Sequence, residues 1–228
     1  MPEVYGVKFG NKHSWNDWGV YLDDSDLSID NPTPRRTLID VPFRNGLLDA
    51  TGAVSNRIFY ESRNLSFSFK VGYGEHSLNE LYSIIAGDVH GKALHVIRDT
   101  DPDYYWDAYN CTMGTPSMND GIGEFSIKCQ CYPFKLKKEL TTVTKAITGS
   151  GITVTCNNSR MDVSPIITTT AAVKMVYVDE YGTSKTVDLT VGENSFDDLI
   201  FTEGSNTLTF NKVSSNANVT ISYREGVL

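Results

Sequence analysis

Three aspartates alternate within residues 99–103, and carboxylates at this spacing are typical of calcium-binding loops. A loop of the EF-hand type also needs a glycine at its sharp turn and a bidentate glutamate at its last position. Tyr104 stands in the place of that glycine, and Asn110 stands in the place of that glutamate. We therefore interpret Asp-Pro-Asp as a turn before a strand, and we interpret the acidic residues 23–26 as a second turn.

No other combination of residue types indicates catalysis or metal binding. The chain has four histidines, none in H-E-x-x-H spacing, and no C-x-x-C pair accompanies them. It contains neither the G-x-S-x-G sequence of a nucleophile elbow nor a glycine-rich phosphate loop. A glycoside hydrolase needs two carboxylates facing each other across a cleft, and nothing in the sequence pairs any. The sequence therefore predicts a protein that is not an enzyme, with no metal ion or other cofactor.

The aromatic segment 104–109 carries side chains that stack on sugar rings or become buried in protein interfaces. On a strand, Tyr105 and Tyr109 share one face, and Tyr104 and Trp106 share the other. One of these faces must pack on a hydrophobic core, and the other is then available for a contact between subunits, where Tyr and Trp are favoured. We favour this interpretation over glycan binding.

The elements around these residues are predicted to be mainly strands. Residues 64–71 alternate between polar and apolar side chains, which predicts a strand with one buried face. Further strands are predicted over residues 15–22, 93–98, 104–113 and 123–132.

One helix is predicted to follow the strand at residues 64–71. Ser77 and Glu80 have the spacing of a capping box, in which each side chain accepts a hydrogen bond from the other residue's backbone N–H. Gly87 is predicted to end the helix. Apolar side chains repeat at helical spacing at positions 78, 81, 82 and 85.

The composition changes at the basic segment 134–138, after which aromatic residues become rarer and Thr and Ser become more frequent. We place the domain boundary here, between an N-terminal domain of residues 1–137 and a C-terminal domain of residues 138–228. Short strands in the second domain are predicted over residues 152–156, 166–170, 173–178, 186–189, 207–210 and 219–223. This spacing is typical of a small antiparallel sandwich, so the predicted fold class is mainly β with one helix.

The overall composition narrows the range of partners. A formal net charge of -8 and an isoelectric point near 5.0 argue against nucleic acid, because phosphate binding needs clustered Lys and Arg. No apolar run reaches membrane-spanning length, and residues 1–6 do not begin a signal peptide. Cys129 and Cys131 share one face of a predicted strand. We expect these two, together with Cys111 and Cys156, to be reduced thiols in a protein folded in a cytoplasm.

Several short segments in the first domain resemble one protein family. W-N-D-W-G-V at residues 15–20 precedes P-R-R at 34–36 and I-D-V-P-F-R-N-G-L-L-D at 39–49. D-P-D-Y-Y at 101–105 and C-Y-P-F-K at 131–135 follow in the same order. Together they resemble the distal tail proteins of long-tailed phages of Gram-positive hosts. Phe43 stands where glycine is frequent in that family, so the resemblance leaves the local turn open.

The resemblance continues through the second domain. The segments that carry it are N-N-S at residues 157–159, S-P-I-I at 164–167, E-G-S-N-T-L-T-F at 203–210 and V-T-I-S-Y-R at 219–224. They are similar to strands of the family's galectin-like sandwich. The implied fold is therefore a belt domain, sandwich-like or barrel-like with one α-helix, followed by a galectin-like β-sandwich.

This resemblance implies a structural function in the virion. The family's belt domain forms a hexameric ring with a central channel at the tail tip, and the ring joins the tail tube to the host-adsorption apparatus. The implied partners are other copies of the chain, the tail tube protein, the tape-measure protein, the tail-tip protein that carries lysin activity, and a receptor-binding protein. The resemblance implies neither nucleic-acid binding nor membrane insertion.

We assign five candidate interface residues to the implied belt, because Trp, Tyr and Arg suit the desolvated centre of an interface: Trp15, Trp18, Arg44, Tyr105 and Trp106. Trp15 and Trp18 fit a hydrophobic core equally well.

The alternative function is a carbohydrate-binding module for host cell-wall polysaccharide. It rests on the C-terminal sandwich and on Tyr177 and Tyr181, which we expect to be exposed. Residues 138–228 suffice only for the basic sandwich and leave no room for an inserted carbohydrate module, which favours the structural ring.

Overall fold

The computed structural model describes residues 5–51, 57–72, 77–179 and 181–228. The chain divides into two units, Met1–Lys135 and Leu136–Leu228. The boundary predicted from composition, between residues 137 and 138, lies two residues beyond this division. The ring-forming role given to the first domain remains a prediction.

Over its described residues, the first unit contains a large antiparallel sheet, a small two-stranded sheet and one helix. Its elements are β1 (Val7–Phe9), β2 (Lys12–His13), β3 (Tyr21–Ile29), β4 (Leu38–Ile39), β5 (Leu48–Asp49), β6 (Arg63–Val71), α1 (Leu78–Val89), β7 (Lys92–Arg98), β8 (Tyr104–Met113), β9 (Ser117–Asn119) and β10 (Ile122–Lys137). The strand order is β2-β1-β7-β8-β10-β6-β3, with β9 paired to β10. Strands β4 and β5 form a separate two-stranded sheet.

Strand β6 confirms the alternation seen in the sequence. Leu65, Phe67 and Phe69 are buried on one face, and the polar residues between them lie on the other. The strand pairs along its whole length with β10, where Phe125 stands opposite Phe69. A shift of one residue would exchange the apolar face for the polar one, so burial of the phenylalanines fixes this register.

The predicted helix is present, with the predicted cap. Ser77 Oγ accepts a hydrogen bond from the Glu80 backbone N–H, and the Glu80 carboxylate accepts one from the Ser77 N–H at 3.0 Å. The helix does not end at Gly87, as we predicted, but continues to Val89. Val89 is fully buried one turn beyond Ile85, and burial of a valine outweighs the roughly 1 kcal/mol that a helical glycine costs.

The predicted strand at residues 15–22 is displaced toward the C-terminus. Residues 14–18 form a turn, across which the Asp17 N–H donates to the His13 carbonyl and the Gly19 N–H donates to the Trp15 carbonyl. Strand β3 follows, and its register against β6 shifts between Asp23 and Ser28. The acidic turn predicted at residues 23–26 is therefore a bulge within β3, because both flanking parts of the strand pair with β6.

The second unit is the predicted antiparallel sandwich. Its strands are β11 (Thr141–Ile147), β12 (Gly151–Asn158), β13 (Ile166–Thr169), β14 (Val173–Val178), β15 (Ser184–Leu189), β16 (Gly192–Asn194), β17 (Gly204–Lys212), β18 (Ala217–Tyr223) and β19 (Gly226–Val227). Two four-stranded sheets, β11-β18-β13-β16 and β12-β17-β14-β15, contribute to one hydrophobic core. Ile167 and Ile221 enter it from the first sheet, and Met175 and Phe210 enter it from the second.

The fold class predicted from the sequence is thus confirmed: the described part of the chain is mainly β, with one helix and a C-terminal sandwich. Within the residues that the structure describes, no helix is long and apolar enough to cross a membrane.

Candidate assembly interface

An excursion of the chain between β3 and β6 carries many exposed side chains. We call residues 33–51 and 57–61 the arm. Its base is a short antiparallel pairing in which Pro34 stands opposite Tyr60. The Arg35 N–H donates to the Phe59 carbonyl at 2.7 Å, and the Glu61 N–H donates to the Thr33 carbonyl at 2.8 Å. These backbone hydrogen bonds join the two ends of the arm to each other, between the end of β3 and the start of β6.

The outer part of the arm is a hairpin made of β4 and β5. Leu38 stands opposite Asp49, and the Ala50 N–H donates to the Thr37 carbonyl at 2.8 Å. Arg36 forms a surface ion pair with Asp49 at 2.8 Å. The hairpin thus has local polar bonds that define its shape, but these contribute little free energy because exposed ion pairs are worth less than about 1 kcal/mol.

The side chains of the arm have no core of their own. No described residue of the arm is buried. Seven of its large apolar side chains are at least 36% exposed: Leu38, Ile39, Phe43, Leu47, Leu48, Ile58 and Phe59. An isolated two-stranded hairpin is at best marginally stable in water. An arm of this composition is therefore suited to being covered by another surface.

Phe43 lies in the turn of the hairpin in an unusual backbone conformation. Its φ is +66°, in the left-handed region, and its side chain is fully exposed. Gly46, in the same turn, has φ +74°. A left-handed backbone costs a residue with a Cβ roughly 1–2 kcal/mol, which explains why glycine suits this position. Position 43 therefore has the left-handed backbone conformation that glycine favours, although the residue there is phenylalanine.

The predicted interface residues lie on different elements of the first unit. Arg44 is exposed beside Phe43, so the arm contains one of them. Trp15 lies half-buried in the turn before β3, with its ring 4.5 Å from the ring of Tyr21. Tyr105 lies half-buried on β8, with its ring 4.3 Å from the ring of His95. These three side chains are accessible, and their role in an interface remains a prediction.

Trp18 and Trp106 are instead core residues. Trp18 is 6% exposed, stacks on Phe9 with ring centroids 5.8 Å apart, and donates its indole N–H to Asp88. Trp106 is 4% exposed, and the Lys135 ammonium lies 5.7 Å from its ring centroid. Side chains buried within their own subunit are not available to a partner. Tryptophan is favoured both at interfaces and in aromatic cores, so residue type alone did not distinguish the two.

The outer face of β8 keeps part of the aromatic segment accessible. Tyr105, Asp107 and Tyr109 lie on this face, while Trp106 and Ala108 are buried on the opposite one. Burial, followed by the nearby Tyr132 hydroxyl, raises the pKa of Tyr109. The sequence predicted the two faces correctly, and the structure identifies the one with Trp106 as the core face.

The acidic clusters serve structural roles. Asp99 accepts hydrogen bonds from the Gly6 N–H at 2.7 Å and from His13 Nε2 at 2.9 Å, and Asp101 pairs with Lys135. Lys70 forms an ion pair with Asp23 at 2.5 Å, and this hydrogen bond is the main cause that lowers the pKa of Asp23 to about 2. In the described parts of the chain, no group of three or more His, Cys, Asp and Glu side chains is arranged to hold a metal ion.

The two tyrosines considered for sugar binding differ in exposure. Tyr177, which we expected to be exposed, is 2% exposed, and its hydroxyl donates to Asp198 at 2.7 Å. The inward face of β14 carries it into the sandwich core. Tyr181 is 78% exposed in the turn that follows. A sugar platform of two neighbouring tyrosines is therefore not formed.

Sequence reasoning selected Arg44 but missed the apolar side chains around it. The signal was present: Leu38-Ile39 and Leu47-Leu48 are adjacent apolar pairs, which place one apolar side chain on each face of a strand. A hairpin that is apolar on both faces cannot bury both against its own subunit when it projects from it.

Comparison with known proteins identifies the fold. No protein-family model and no curated protein sequence matches the chain. A solved structure does match, the "Crystal Structure of SPP1 Dit (gp 19.1) Protein, a Paradigm of Hub Adsorption Apparatus in Gram-positive Infecting Phages". The match covers 99% of this chain and 100% of the other, with a TM-score of 0.65 and 14% sequence identity. The resemblance to siphophage distal tail proteins is thus confirmed at the level of the fold.

Proposed function

We propose that this chain is a non-enzymatic structural protein of a phage tail tip, which assembles with copies of itself into a hexameric ring. The ring joins the tail tube to the host-adsorption apparatus. This function is supported by the likeness in fold to a hub protein over nearly the whole chain. The observation that carries the self-assembly is the arm, whose apolar side chains are exposed on a hairpin without a core.

The arm fits a head-to-tail contact. A projecting arm on one copy and a receiving surface on the next are different patches, so the contact is heterologous. Such contacts produce a closed ring when each copy is rotated by the right angle. Burial of a Leu, Ile or Phe side chain contributes about 1.5–3 kcal/mol, and the arm offers several. This contribution offsets much of the roughly 4–15 kcal/mol that association costs.

Charge favours a copy of the same chain as the occupant of this contact. Residues 33–61 contain four arginines, two aspartates and one glutamate, which gives a formal charge of +1. The whole chain carries -8, so the rest of the chain carries -9. A slightly basic arm is therefore complementary to the acidic body of another copy. Arg44, exposed at the tip, is placed to contribute.

Assembled tails and the purified chain provide the test. Thr37 and Ala50 are already joined by a hydrogen bond, so Gly-Ser-Gly in place of residues 38–49 removes the β4–β5 hairpin and closes the chain where that hairpin begins. We expect rings from the natural chain by electron microscopy and light scattering, and monomers with unchanged circular dichroism from the shortened variant. A matched control removes exposed apolar side chains from the sandwich by Val178→Ser, Val191→Ser and Val213→Ser, and should still assemble. A natural chain that stays monomeric at high concentration, with no ring in tails, would refute the proposal.

Under this function the partners are the tail tube protein, the tape-measure protein and the tail-tip protein that carries lysin activity, with a receptor-binding protein docked on the sandwich. Virion location at the tail tip follows from the same proposal. Antibodies against the chain should label the junction between tube and tip in electron micrographs. Labelling along the whole tube, or of the capsid, would contradict this location.

A further inference from the structure

Two buried cysteines stand directly opposite each other on neighbouring strands. The Gly114 N–H donates to the Ser126 carbonyl at 2.8 Å, which makes these residues a hydrogen-bonded pair of the antiparallel strands β8 and β10. Cys111 lies three residues before Gly114, and Cys129 lies three residues after Ser126, so the two cysteines are opposite each other. Hydrogen-bonded and non-hydrogen-bonded pairs alternate along antiparallel strands, so an odd offset of three makes this a non-hydrogen-bonded pair. Side chains approach most closely at such positions, where the Cα atoms are about 4.5 Å apart.

The two sulfur atoms are correspondingly close. Cys111 Sγ and Cys129 Sγ are 2.7 Å apart, and both side chains are buried. Disulfides form between cysteines with Cα atoms about 4.4–6.8 Å apart, a range that includes the general spacing of a non-hydrogen-bonded pair. Cys131 lies on the same face of β10, but its thiol is directed to the Cys129 carbonyl at 3.8 Å. Cys156 lies in the second unit.

We propose that Cys111 and Cys129 form a disulfide when the protein meets a peroxide. The Cys111 thiolate attacks one oxygen of hydrogen peroxide, the O–O bond breaks, and the departing hydroxide takes up a proton to form water. Cys111 is then a sulfenic acid. The Cys129 sulfur attacks the Cys111 sulfur, the S–S bond forms, and the S–O bond breaks. The hydroxyl leaves as water with the Cys129 proton, so two thiols are oxidised and one peroxide is reduced to two waters.

The electrostatics of the pair support this order of events. The hydrogen bond from Cys129 lowers the pKa of Cys111, and the same hydrogen bond together with burial raises the pKa of Cys129. Burial raises the pKa of Cys131 to about 12. The thiolate is the nucleophile in thiol oxidation, so the lowered pKa favours Cys111 as the attacking residue.

The disulfide would link two central strands of the first unit. It closes the segment between β8 and β10, so it restricts the unfolded chain and stabilises the sheet. This inference does not depend on the proposed tail-tip function. Under that function, the thiols are reduced during assembly in the cytoplasm, and the bond forms after the particle reaches an oxidising medium.

Peptide mapping of the intact chain tests the proposal. The protein is treated with hydrogen peroxide, the peroxide is removed with catalase, and free thiols are alkylated before tryptic digestion without a reductant. Cleavage after Lys128 separates Cys111 from Cys129. We expect a linked pair of peptides, residues 99–128 and 129–135, with an alkyl group on Cys131. Its mass should be two hydrogens below the sum of the two peptides carrying the same alkyl group and the same methionine oxidation. Oxidation of Met118, which is 66% exposed, verifies that the peroxide acted.

Four single variants assign the bond. The linked peptides should persist in Cys131→Ser and Cys156→Ser and disappear in Cys111→Ser and Cys129→Ser. The thermal midpoint of the natural chain should rise by about 5 °C on oxidation and fall back with dithiothreitol. The proposal would be overturned by four alkylated thiols in a sample whose Met118 is oxidised. It would also be overturned by a link that survives in Cys129→Ser, or by a link found only between two chains.

Discussion

The indole Nε1 of Trp18 donates a hydrogen bond to Asp88 Oδ2 at 3.0 Å. This bond joins the turn before β3 to the last turn of α1, and it satisfies the polar group of an otherwise apolar ring. The same ring stacks on Phe9. Trp18 therefore holds the helix against the sheet of the first unit, although its sequence neighbourhood had suggested an interface.

Trp18 gives a graded stability prediction. Trp18→Phe keeps an aromatic ring against Phe9 and loses the bond to Asp88, which should lower the free energy of unfolding by about 1 kcal/mol. Trp18→Ala also leaves a cavity and should cost about 3–5 kcal/mol. Chemical unfolding monitored by circular dichroism measures both. Trp15→Ala, at a half-buried position, is the control and should cost less. Equal losses for Trp18→Ala and Trp15→Ala would contradict the core assignment.

Phe43 separates folding from assembly. Phe43→Gly removes the apolar side chain and the strain of φ +66°, so the subunit should be as stable as the natural chain or more stable by about 1 kcal/mol. We expect the same variant to assemble more weakly under the proposed function, because an exposed aromatic anchor is lost. Phe43→Leu, which retains a large apolar group, should assemble better than Phe43→Gly. Sedimentation and thermal unfolding on the same samples test this, and assembly unchanged in Phe43→Gly would exclude Phe43 as an anchor.

Tyr177 predicts a pH dependence at the alkaline end. Burial, with the hydrogen bond to Asp198 as the second cause, raises the pKa of Tyr177 to about 12. A folded-state pKa above the unfolded value near 10 means that the contribution to stability is complete below pH 10. It is lost as the pH rises toward 12. Tyr177→Phe should therefore cost about 1 kcal/mol at pH 8, and this difference should narrow above pH 10.

Unfolding by urea at a series of pH values measures this difference. Tyr181→Phe is the matched control because Tyr181 is 78% exposed, and it should change stability little at any pH. The difference in free energy of unfolding between Tyr177→Phe and the natural chain should change with pH. If it stays constant from pH 8 to pH 12, the pKa of Tyr177 is not raised by folding.

Ser77 tests the cap of the single helix. Ser77→Ala removes the acceptor for the Glu80 N–H and should lower the free energy of unfolding by about 1 kcal/mol. Ser77→Asp keeps an acceptor at the helix N-terminus and should restore most of that loss. Thermal unfolding of both variants is the measurement. A loss in Ser77→Asp as large as in Ser77→Ala would mean that the capping bond contributes nothing.

The sequence by itself determined the local elements. The alternation in residues 64–71 and the capping pair Ser77 and Glu80 specify a strand and a helix start through contacts between residues close in the chain. The regular short strands after residue 138 determined the sandwich in the same way. The order of the short motifs along the chain was enough to predict the family whose fold the chain resembles. Local hydrogen bonds and side-chain periodicity are encoded within a few residues, so a single sequence is enough to read them.

Only the tertiary structure decided which faces are covered. Periodicity showed that Trp106 and Tyr105 lie on opposite faces of β8, but not which face meets the core, because that depends on strands and a helix distant in the chain. The arm is exposed for the converse reason: no described element of its own subunit buries it. The pairing of Cys111 with Cys129 likewise depends on the register between β8 and β10. Burial and contact are properties of several segments together, and the sequence of one segment does not contain them.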